Sequence, residues 1–206
     1  MAKKNKEISS SNLIKVKPIT ESQKSVFETW KQGKNQFLFG CAGTGKTFVS
    51  LYLAMQDVLD LKTKYDKVIL VRSLIPTREI GFLPGDEEDK AALYQVPYQN
   101  MVKFMFEQPN EQAFNMLYDR LKNQGSLYFL STSFLRGLTF DNSIIIVDEC
   151  QNLNFHELDT ITTRVGQDSK IVFCGDFSQT DLLKQNEKNG LHDFLRIVME
   201  MQEFNC

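Results

Sequence analysis

The residue types that bind nucleotide phosphates occur together in one glycine-rich segment, Gly40, Cys41, Ala42, Gly43, Thr44, Gly45, Lys46 and Thr47. The segment fits the pattern G-x-x-x-x-G-K-[ST], in which glycines let the backbone curl until its N–H groups point at a phosphate, beside the positive end of a helix dipole. We predict that Lys46 reaches the β- and γ-phosphates and that the Thr47 hydroxyl ligates Mg²⁺. The segment therefore predicts a site for a nucleotide and its magnesium ion.

Two carboxylates stand at the end of an apolar segment, Ile144–Val147, which has the character of a buried strand. Such a strand would deliver Asp148 to the edge of a sheet, where it could hold the Mg²⁺ bound by Thr47. Glu149, one residue further, is the predicted general base that polarises an attacking water. A base at this position suits hydrolysis better than transfer to a second substrate, so a small-molecule kinase is the less favoured interpretation.

A third polar segment follows the apolar residues 170–174. It contains Gln179, a candidate for sensing the γ-phosphate, although a polar turn would have the same composition. Adenine is favoured over guanine as the base, because the match to a guanine-reading pattern at 63–66 precedes a strand instead of following a late one. Gln23 is the candidate adenine reader, and it is also placed to complete a helix cap with Thr20. ATP is thus the predicted nucleotide.

Alternating strands and helices must position these residues. Apolar segments predict strands at 36–39, 67–71, 126–130, 143–147 and 170–174. Apolar spacing and capping residues predict helices at 20–33, 47–59 and 191–201, and residues 87–123 are interpreted as an insertion of two or three helices interrupted at Pro97 and Pro109. Continuous apolar strands that alternate with helices predict an α/β fold, with a mostly parallel sheet covered by helices on both faces.

Composition is typical of a soluble globular protein. Hydrophobic residues make up 42% and charged residues 24% of the 206 residues, and the length fits one domain, predicted at 20–206. We find no apolar run of the roughly 18 residues that a membrane span needs, and no apolar signal region at the start. The four cysteines form no Cys-x-x-Cys pair, which favours free thiols, no structural metal and a cytoplasmic location.

Charge is unevenly distributed along the chain. Residues 1–17 carry five lysines against one glutamate, a balance of +4, which leaves −6 for the remainder because the net charge is −2. We predict a basic, flexible N-terminal arm over residues 1–19. Because the rest of the chain is mildly acidic, a nucleic-acid site would have to be a local patch or a surface pooled between subunits.

Six segments together resemble the PhoH family of ATPases, whose core is similar to one RecA-like half of a superfamily 1 helicase. The resemblance covers residues 20–195 and rests on Gly40–Thr47, Gly81–Asp86, Phe134–Gly137, Val147–Asn152, Thr163–Gly166 and Gly175–Asp181. It implies a RecA-like P-loop NTPase that hydrolyses ATP, acts on RNA or single-stranded DNA, has helicase activity in some members and assembles as a hexameric ring. Cys41 and Cys150 stand where the family usually has proline and alanine; both are small, so we expect nucleotide binding to persist.

An arginine on the γ-phosphate accelerates phosphoryl transfer by about 10³–10⁵-fold, and in a helicase of two lobes the second lobe supplies it. We expect no second lobe within 206 residues, so a neighbouring subunit would be the donor, with Arg164 favoured over Arg136. With 19 residues before the core, we also expect no nuclease domain.

Nucleic-acid contacts are predicted after two strands. Arg72 and Ser73, and the hydroxyls of residues 131–133 before Arg136, are candidates for phosphate contacts, although hydroxyls after strands are also ordinary helix caps. Six aromatic residues between 94 and 118 could stack bases, but packing of the inserted helices is the favoured interpretation.

The sequence thus predicts Mg²⁺-dependent ATP hydrolysis coupled to RNA or single-stranded DNA by a ring of identical subunits. The alternative is an ATP-dependent switch or assembly protein that acts on a protein partner without moving along nucleic acid. A response of ATP turnover to single-stranded nucleic acid would distinguish the two.

Overall fold

The computed structural model describes residues 6–73, 87–135, 137–176 and 185–206. Within these ranges the elements are α1 (Glu21–Lys31), β1 (Asn35–Phe39), α2 (Lys46–Leu59), β2 (Lys67–Arg72), α3 (Glu87–Phe106), α4 (Glu111–Asn123), β3 (Leu127–Ser131), β4 (Ser143–Asp148), α5 (Phe155–Thr162), β5 (Lys170–Gly175), α6 (Gln185–Glu200) and β6 (Phe204–Asn205). Single turns of 3₁₀ helix lie at Ser10–Asn12, Thr132–Phe134 and Cys150–Asn152. The first five strands follow the predicted apolar segments to within a residue or so.

The strands form one sheet in the order β3-β2-β4-β5-β1-β6, and each neighbouring pair among the described residues is parallel. All carboxyl ends therefore meet at one edge, where ligands of open α/β sheets bind. Strand β5 lies between β1 and β4. The loop after β1 and the carboxylates after β4 consequently flank the end of β5, which brings three distant segments of the chain together.

Helices cover both faces of the sheet, as predicted. Val68 and Leu70 of β2 contribute to the core beneath α1–α4, whereas Ile69 and Val71 contribute to the core beneath α5 and α6. This alternation follows from the two-residue period of a strand, and both sets are buried because both faces are covered. The predicted fold class, an α/β sheet of P-loop NTPase type, is confirmed.

Helix α3 continues through Pro97, where the sequence predicts an interruption. A proline inside a helix removes a backbone hydrogen bond and costs about 3 kcal/mol. Here Pro97 is exposed, and its neighbours Tyr98, Val102 and Met105 are almost fully buried, so packing of the opposite face offsets the loss. Strand β6 has no counterpart among the predicted strands because it is only two residues long.

Residues 6–16 pack on the domain, which differs from the flexible arm that the basic composition predicts. Ile8 and Leu13 are buried in the core with α2 and α3. The backbone N–H of Ile14 donates to the carbonyl of Met105 at 2.9 Å, and its carbonyl accepts from the Tyr52 hydroxyl at 3.0 Å. Two buried apolar side chains and the hydrogen bonds of Ile14 therefore hold the segment on the domain.

Cys150 and Cys174 are buried and Cys41 and Cys206 are exposed, and all four are free thiols. Among the described residues, no cluster of histidine, cysteine and acidic side chains could hold a metal by itself. Likewise, no helix in the described ranges has the length and apolar content needed to cross a membrane.

Candidate nucleotide-binding site

The glycine-rich segment forms a curled loop between β1 and α2. Gly43 and Gly45 adopt φ values of +77° and +81°, a left-handed conformation that residues with a side chain rarely adopt. Gly45 is the N-cap of α2 and offers no side chain to the helix, so the first N–H groups of α2 remain for another acceptor. A helix N-terminus of this kind attracts anions, which is the environment that a phosphate requires.

The side chain of Lys46 forms hydrogen bonds with the backbone of this loop. Its Nζ donates to the carbonyl oxygens of Gly40 and Cys41, both at 2.8 Å. The side chain is half-buried, and these contacts hold the ammonium group against the loop backbone. The ammonium group of Lys46, the only cation of the glycine-rich segment, therefore lies beside the first residues of the loop, Gly40 and Cys41.

Thr47 and Asp148, 101 residues apart in sequence, are in direct contact. The Thr47 hydroxyl donates to Asp148 Oδ1 at 2.6 Å, and the second carboxylate oxygen, Oδ2, accepts from the hydroxyl of Tyr98 at 2.7 Å. Asp148 is buried, 7% exposed. A hydroxyl and a carboxylate side by side form the oxygen donor set that Mg²⁺ prefers, so the residues present fit the predicted ion.

Arg72 and Tyr98 add a cation and a phenol to the same edge. Arg72 pairs in register with Asp148, stacks on the Tyr94 ring at 5.4 Å and hydrogen-bonds to Tyr98. Burial, followed by the negative charge of Asp148, raises the pKa of Tyr98 well above its usual value. Tyr98 is therefore a neutral donor at physiological pH. Arg72, predicted as a nucleic-acid contact, lies beside the carboxylates instead of projecting away from them.

Glu149 adopts a left-handed backbone conformation, with φ +52° and ψ +41°. This conformation costs a residue with a side chain about 1 kcal/mol or more, and such strain is concentrated at functional sites. Gln151 restrains it: its amide nitrogen donates to Glu149 Oε2, and its Oε1 accepts from the backbone N–H of Asp176 at 3.1 Å. Gln151, 2% exposed, thereby links the turn after β4 to the end of β5.

Gln151 was not among the predicted site residues. It lies within the segment 147–152 that supports the family resemblance, two positions after the acidic pair. No sequence pattern distinguishes a polar residue that is buried between two strand ends from one that is exposed.

Gly175 lets the end of β5 approach the turn after β4. A Cβ placed there would lie 2.6 Å from Cys150 Sγ and 3.1 Å from Gln151 Oε1. The carbonyl of Gly175 also accepts from the N–H of Gly40 at 3.3 Å, which connects β5 to the phosphate loop. Glycine is required here because a side chain would clash with its neighbours, and not because the backbone angle is unusual.

A cavity of about 260 Å³ opens between the loop and the strand ends. Its polar wall contains Lys46, Thr47, Asp148 and Glu149, and its apolar wall is formed by Phe48 and Met101. The floor contains Cys174, whose thiol has its pKa raised by burial and by the charge of Asp148, and which is therefore neutral. The cavity combines a cationic loop with three carboxylates, those of Asp148, Glu149 and Asp176.

Gln23 contacts the phosphate loop through its side chain. Its Oε1 accepts from the backbone N–H of Ile19 at 2.8 Å, and its Nε2 donates to the carbonyl of Thr44 at 3.2 Å. The Thr20 hydroxyl accepts from the Gln23 backbone N–H, so Thr20 caps α1 as predicted. The reciprocal half of the predicted capping box is not formed, because the Gln23 side chain binds the N–H of Ile19 and not that of Thr20. Both ends of the amide are engaged within the chain, and Gln23 connects α1 to the loop.

Arg164 lies at the opposite edge of the sheet. Its carbonyl accepts from the N–H of Phe140, and Phe140 pairs with Val165 just before β4 begins at Ser143. Since Asp148 ends that strand, Arg164 is a strand length from the phosphate loop and does not reach the site of its own chain. Its Nε is buried, and no acceptor in the described part of the chain bonds to it.

The remaining predicted residues are distributed differently. Ser73 is buried at the end of β2, beside Arg72. Gln179 and Arg136 lie outside the described residues. Of the six aromatic residues between 94 and 118, four are buried and Phe104 is 61% exposed, which confirms that packing is their main role.

The parallel sheet, the curled loop before α2 and the Thr47–Asp148 pair define a nucleotide-binding domain of the P-loop class. A family model described as "PhoH: PhoH-like protein" matches residues 15–206. The chain belongs to this family, as the resemblance of its motifs predicts.

Curated relatives agree with this assignment. The chain is 36% identical over 145 residues to "Protein PhoH2" of Bacillus subtilis, covering 70% of this chain and 32% of that protein. It is 34% identical over 167 residues to a PhoH-like protein of Synechocystis, covering 81% of this chain and 48% of that protein. It is 32% identical over 189 residues to a PhoH-like protein of Bacillus subtilis, covering 91% of this chain and 54% of that protein. The chain spans between a third and about half of these relatives.

Two solved structures show distant similarity to the chain. A large terminase from a thermophilic bacteriophage, in complex with ADP, aligns with a TM-score of 0.42 and 15% identity over 77% of this chain and 39% of its own. The Pif1 helicase of Candida albicans aligns with a TM-score of 0.35 and 18% identity over 89% of this chain and 44% of its own. The family assignment does not depend on either.

Proposed function

We propose that this chain is a Mg²⁺-dependent ATPase. The observation that carries the proposal is the contact between Thr47 of the phosphate loop and Asp148 of β4, with Glu149 directly beside it. These groups supply, in one cavity, the anion-binding loop, the oxygen ligands and the base that hydrolysis of a nucleoside triphosphate needs.

Each group has a separate task in the proposed reaction. Lys46 and the N–H groups at the start of α2 hold the phosphates, and Thr47 and Asp148 hold the ion. Mg²⁺, when bound, neutralises the charge that develops on the β- and γ-phosphates.

Glu149 orients a water molecule and accepts its proton as the water oxygen bonds to the γ-phosphorus and the bond to the leaving ADP oxygen breaks. Gln151 restrains the Glu149 carboxylate through the bond to its Oε2. The water, and not a second substrate, is the proposed acceptor because Glu149 lines the same cavity as the phosphate loop.

We further propose that turnover is coupled to RNA or single-stranded DNA and that subunits assemble into a ring. Family membership supports the coupling. Arg164 is the proposed arginine on the γ-phosphate, and this role requires assembly, because an arginine at the opposite edge of the sheet can reach a phosphate only in a neighbouring subunit.

The coupling is tested by measuring phosphate release with and without poly-U or single-stranded DNA over a range of salt concentrations. We expect stimulation that fades as salt rises, because phosphate contacts release counterions. Lys46→Ala provides the background rate. ATP turnover that is indifferent to both polymers would contradict the coupling and favour the alternative, a switch that acts on a protein partner.

Subunit cooperation is tested by mixing variants. Arg164→Ala should be inactive alone and should recover part of its turnover when mixed with Lys46→Ala, because mixed interfaces pair an intact loop with an intact arginine. Arg120→Ala, an exposed arginine on α4, is the matched control and should retain activity. A fully active Arg164→Ala would refute its role.

A further inference from the structure

We propose that Tyr98 is a positioning residue for the magnesium site, acting on Asp148 from helix α3; this inference rests on the proposed function. The Tyr98 hydroxyl donates to Asp148 Oδ2 at 2.7 Å while Thr47 donates to Oδ1 at 2.6 Å. Each carboxylate oxygen is thus bound by a hydroxyl from a different helix. The carboxylate cannot rotate without breaking one of these bonds.

The ring and the hydroxyl of Tyr98 have different tasks. The ring, 2% exposed, packs on Phe129 with ring centroids 5.7 Å apart and lies in the same core as Val102 and Met105. These contacts anchor α3 to the sheet and would be equally available to phenylalanine. Only the hydroxyl reaches the carboxylate, so it can be removed while the packing is kept.

The surrounding charges keep Tyr98 a donor. A guanidinium group only donates hydrogen bonds, so the Tyr98 oxygen accepts from Arg72 and the Tyr98 proton is left for Asp148. Arg72 hydrogen-bonds to Tyr98 and stacks on Tyr94, one helical turn earlier in α3. A neutral phenol held by a cation directs its proton toward Asp148, which leaves the Thr47 side of the carboxylate for the ion.

Groups that orient metal ligands through hydrogen bonds typically change metal affinity or activity by about 10–100-fold when they are removed. We therefore expect Tyr98→Phe to weaken metal binding about tenfold. Binding of ADP without metal should be unchanged, because no part of Tyr98 lines the phosphate loop.

The test is the dissociation constant of Mn²⁺, a paramagnetic substitute for Mg²⁺, measured by electron paramagnetic resonance on the full chain with saturating ADP. ADP affinity in EDTA is measured alongside. Tyr118→Phe is the matched control, since Tyr118 is a buried phenol on α4 that hydrogen-bonds to Gln99. It should leave the dissociation constant of Mn²⁺ within about twofold of the parent.

A Tyr98→Phe protein that binds Mn²⁺ as tightly as the parent would overturn the inference and leave the proposed ATPase intact. A parent chain that binds no Mn²⁺ with ADP would overturn both. Equal weakening by Tyr118→Phe would also overturn the inference, because the loss would then be a general effect of α3 and α4 on the fold. A Tyr98→Phe chain that does not fold would also contradict the inference, because the hydroxyl would then be structural.

Discussion

Replacement of the buried Lys170 by methionine tests how the domain accommodates a cation in its core. Lys170, on β5, is 1% exposed; its Nζ donates to the carbonyl of Trp30 at 3.0 Å and lies 4.1 Å from the centre of the indole ring. Burial lowers the pKa of Lys170 from 10.5 to about 8, and the negative charge of Asp57 opposes that shift. The folded chain therefore releases a proton that the unfolded chain still holds.

The sign and size of the effect follow from these two pKa values. Between about pH 8 and pH 10.5 the unfolded state binds more protons, so the free energy of unfolding rises with pH. A pKa lowered from 10.5 to about 8 corresponds to about 3 kcal/mol of destabilisation below pH 8. About 1 kcal/mol of this remains at about pH 9.5, so the wild type should gain about 2 kcal/mol relative to Lys170→Met between about pH 7 and about pH 9.5.

Urea denaturation of both proteins across this range measures the difference. The comparison is needed because other groups titrate on unfolding; burial raises the pKa of Tyr65 to about 12, for example, and the pKa of Cys174 is also raised. Contributions from groups distant from Lys170 cancel when Lys170→Met is subtracted from the wild type. Tyr65, whose ring lies 5.8 Å from Lys170 Nζ, has an ordinary pKa of 10.0 and titrates mostly above this range. Two stability curves that stay parallel from about pH 7 to about pH 9.5 would refute the conclusion that Lys170 is desolvated in the folded state.

Two further substitutions test the site. Gly175→Ala should lower the free energy of unfolding by about 1–3 kcal/mol, because the added Cβ would lie 2.6 Å from Cys150 Sγ. A second substitution, Cys150→Ala, should restore part of this loss. If Gly175→Ala costs the same with Cys150 as with Ala at that position, the clash is not the cause. Lys46→Ala should abolish ATP turnover and weaken ATP binding, measured by phosphate release and calorimetry, because the loop loses its ammonium group. Unchanged turnover would remove Lys46 from the site.

The sheet and the core of the site could be predicted because their signals are local. Each buried parallel strand is a continuous apolar segment, as at Ile144–Val147, and the polar residues that follow it must lie at the carboxyl edge. Thr47 and Asp148 therefore come together through the topology alone. Their contact can therefore be predicted without a sequence motif that spans both segments.

Contacts of the inserted helices could not be predicted in the same way. Tyr98 belongs to a series of aromatic residues whose spacing indicates only that some face the core. That one hydroxyl of this series reaches Asp148 depends on how α3 sits on the sheet, which the insertion's own sequence does not determine. The same is true of Gln151, whose partners belong to two different strand ends.

The N-terminal segment was mispredicted for a different reason. Average charge predicts solvation, but the segment packs because Ile8 and Leu13 enter the core and Ile14 forms hydrogen bonds with Met105 and Tyr52. A few buried apolar groups, each stabilising by about 1.5–3 kcal/mol, can outweigh the tendency of a basic segment to remain solvated.

Phosphate release from ATP and Mg²⁺ by the wild type and by Glu149→Gln, each with its ATP affinity, tests the proposed ATPase most directly. We predict that the wild type hydrolyses ATP and that Glu149→Gln binds ATP with similar affinity but hydrolyses it about 10²–10⁴-fold more slowly, because the base is lost while the loop and the Thr47–Asp148 pair remain. Full turnover by Glu149→Gln, or no turnover by the wild type, would contradict the account.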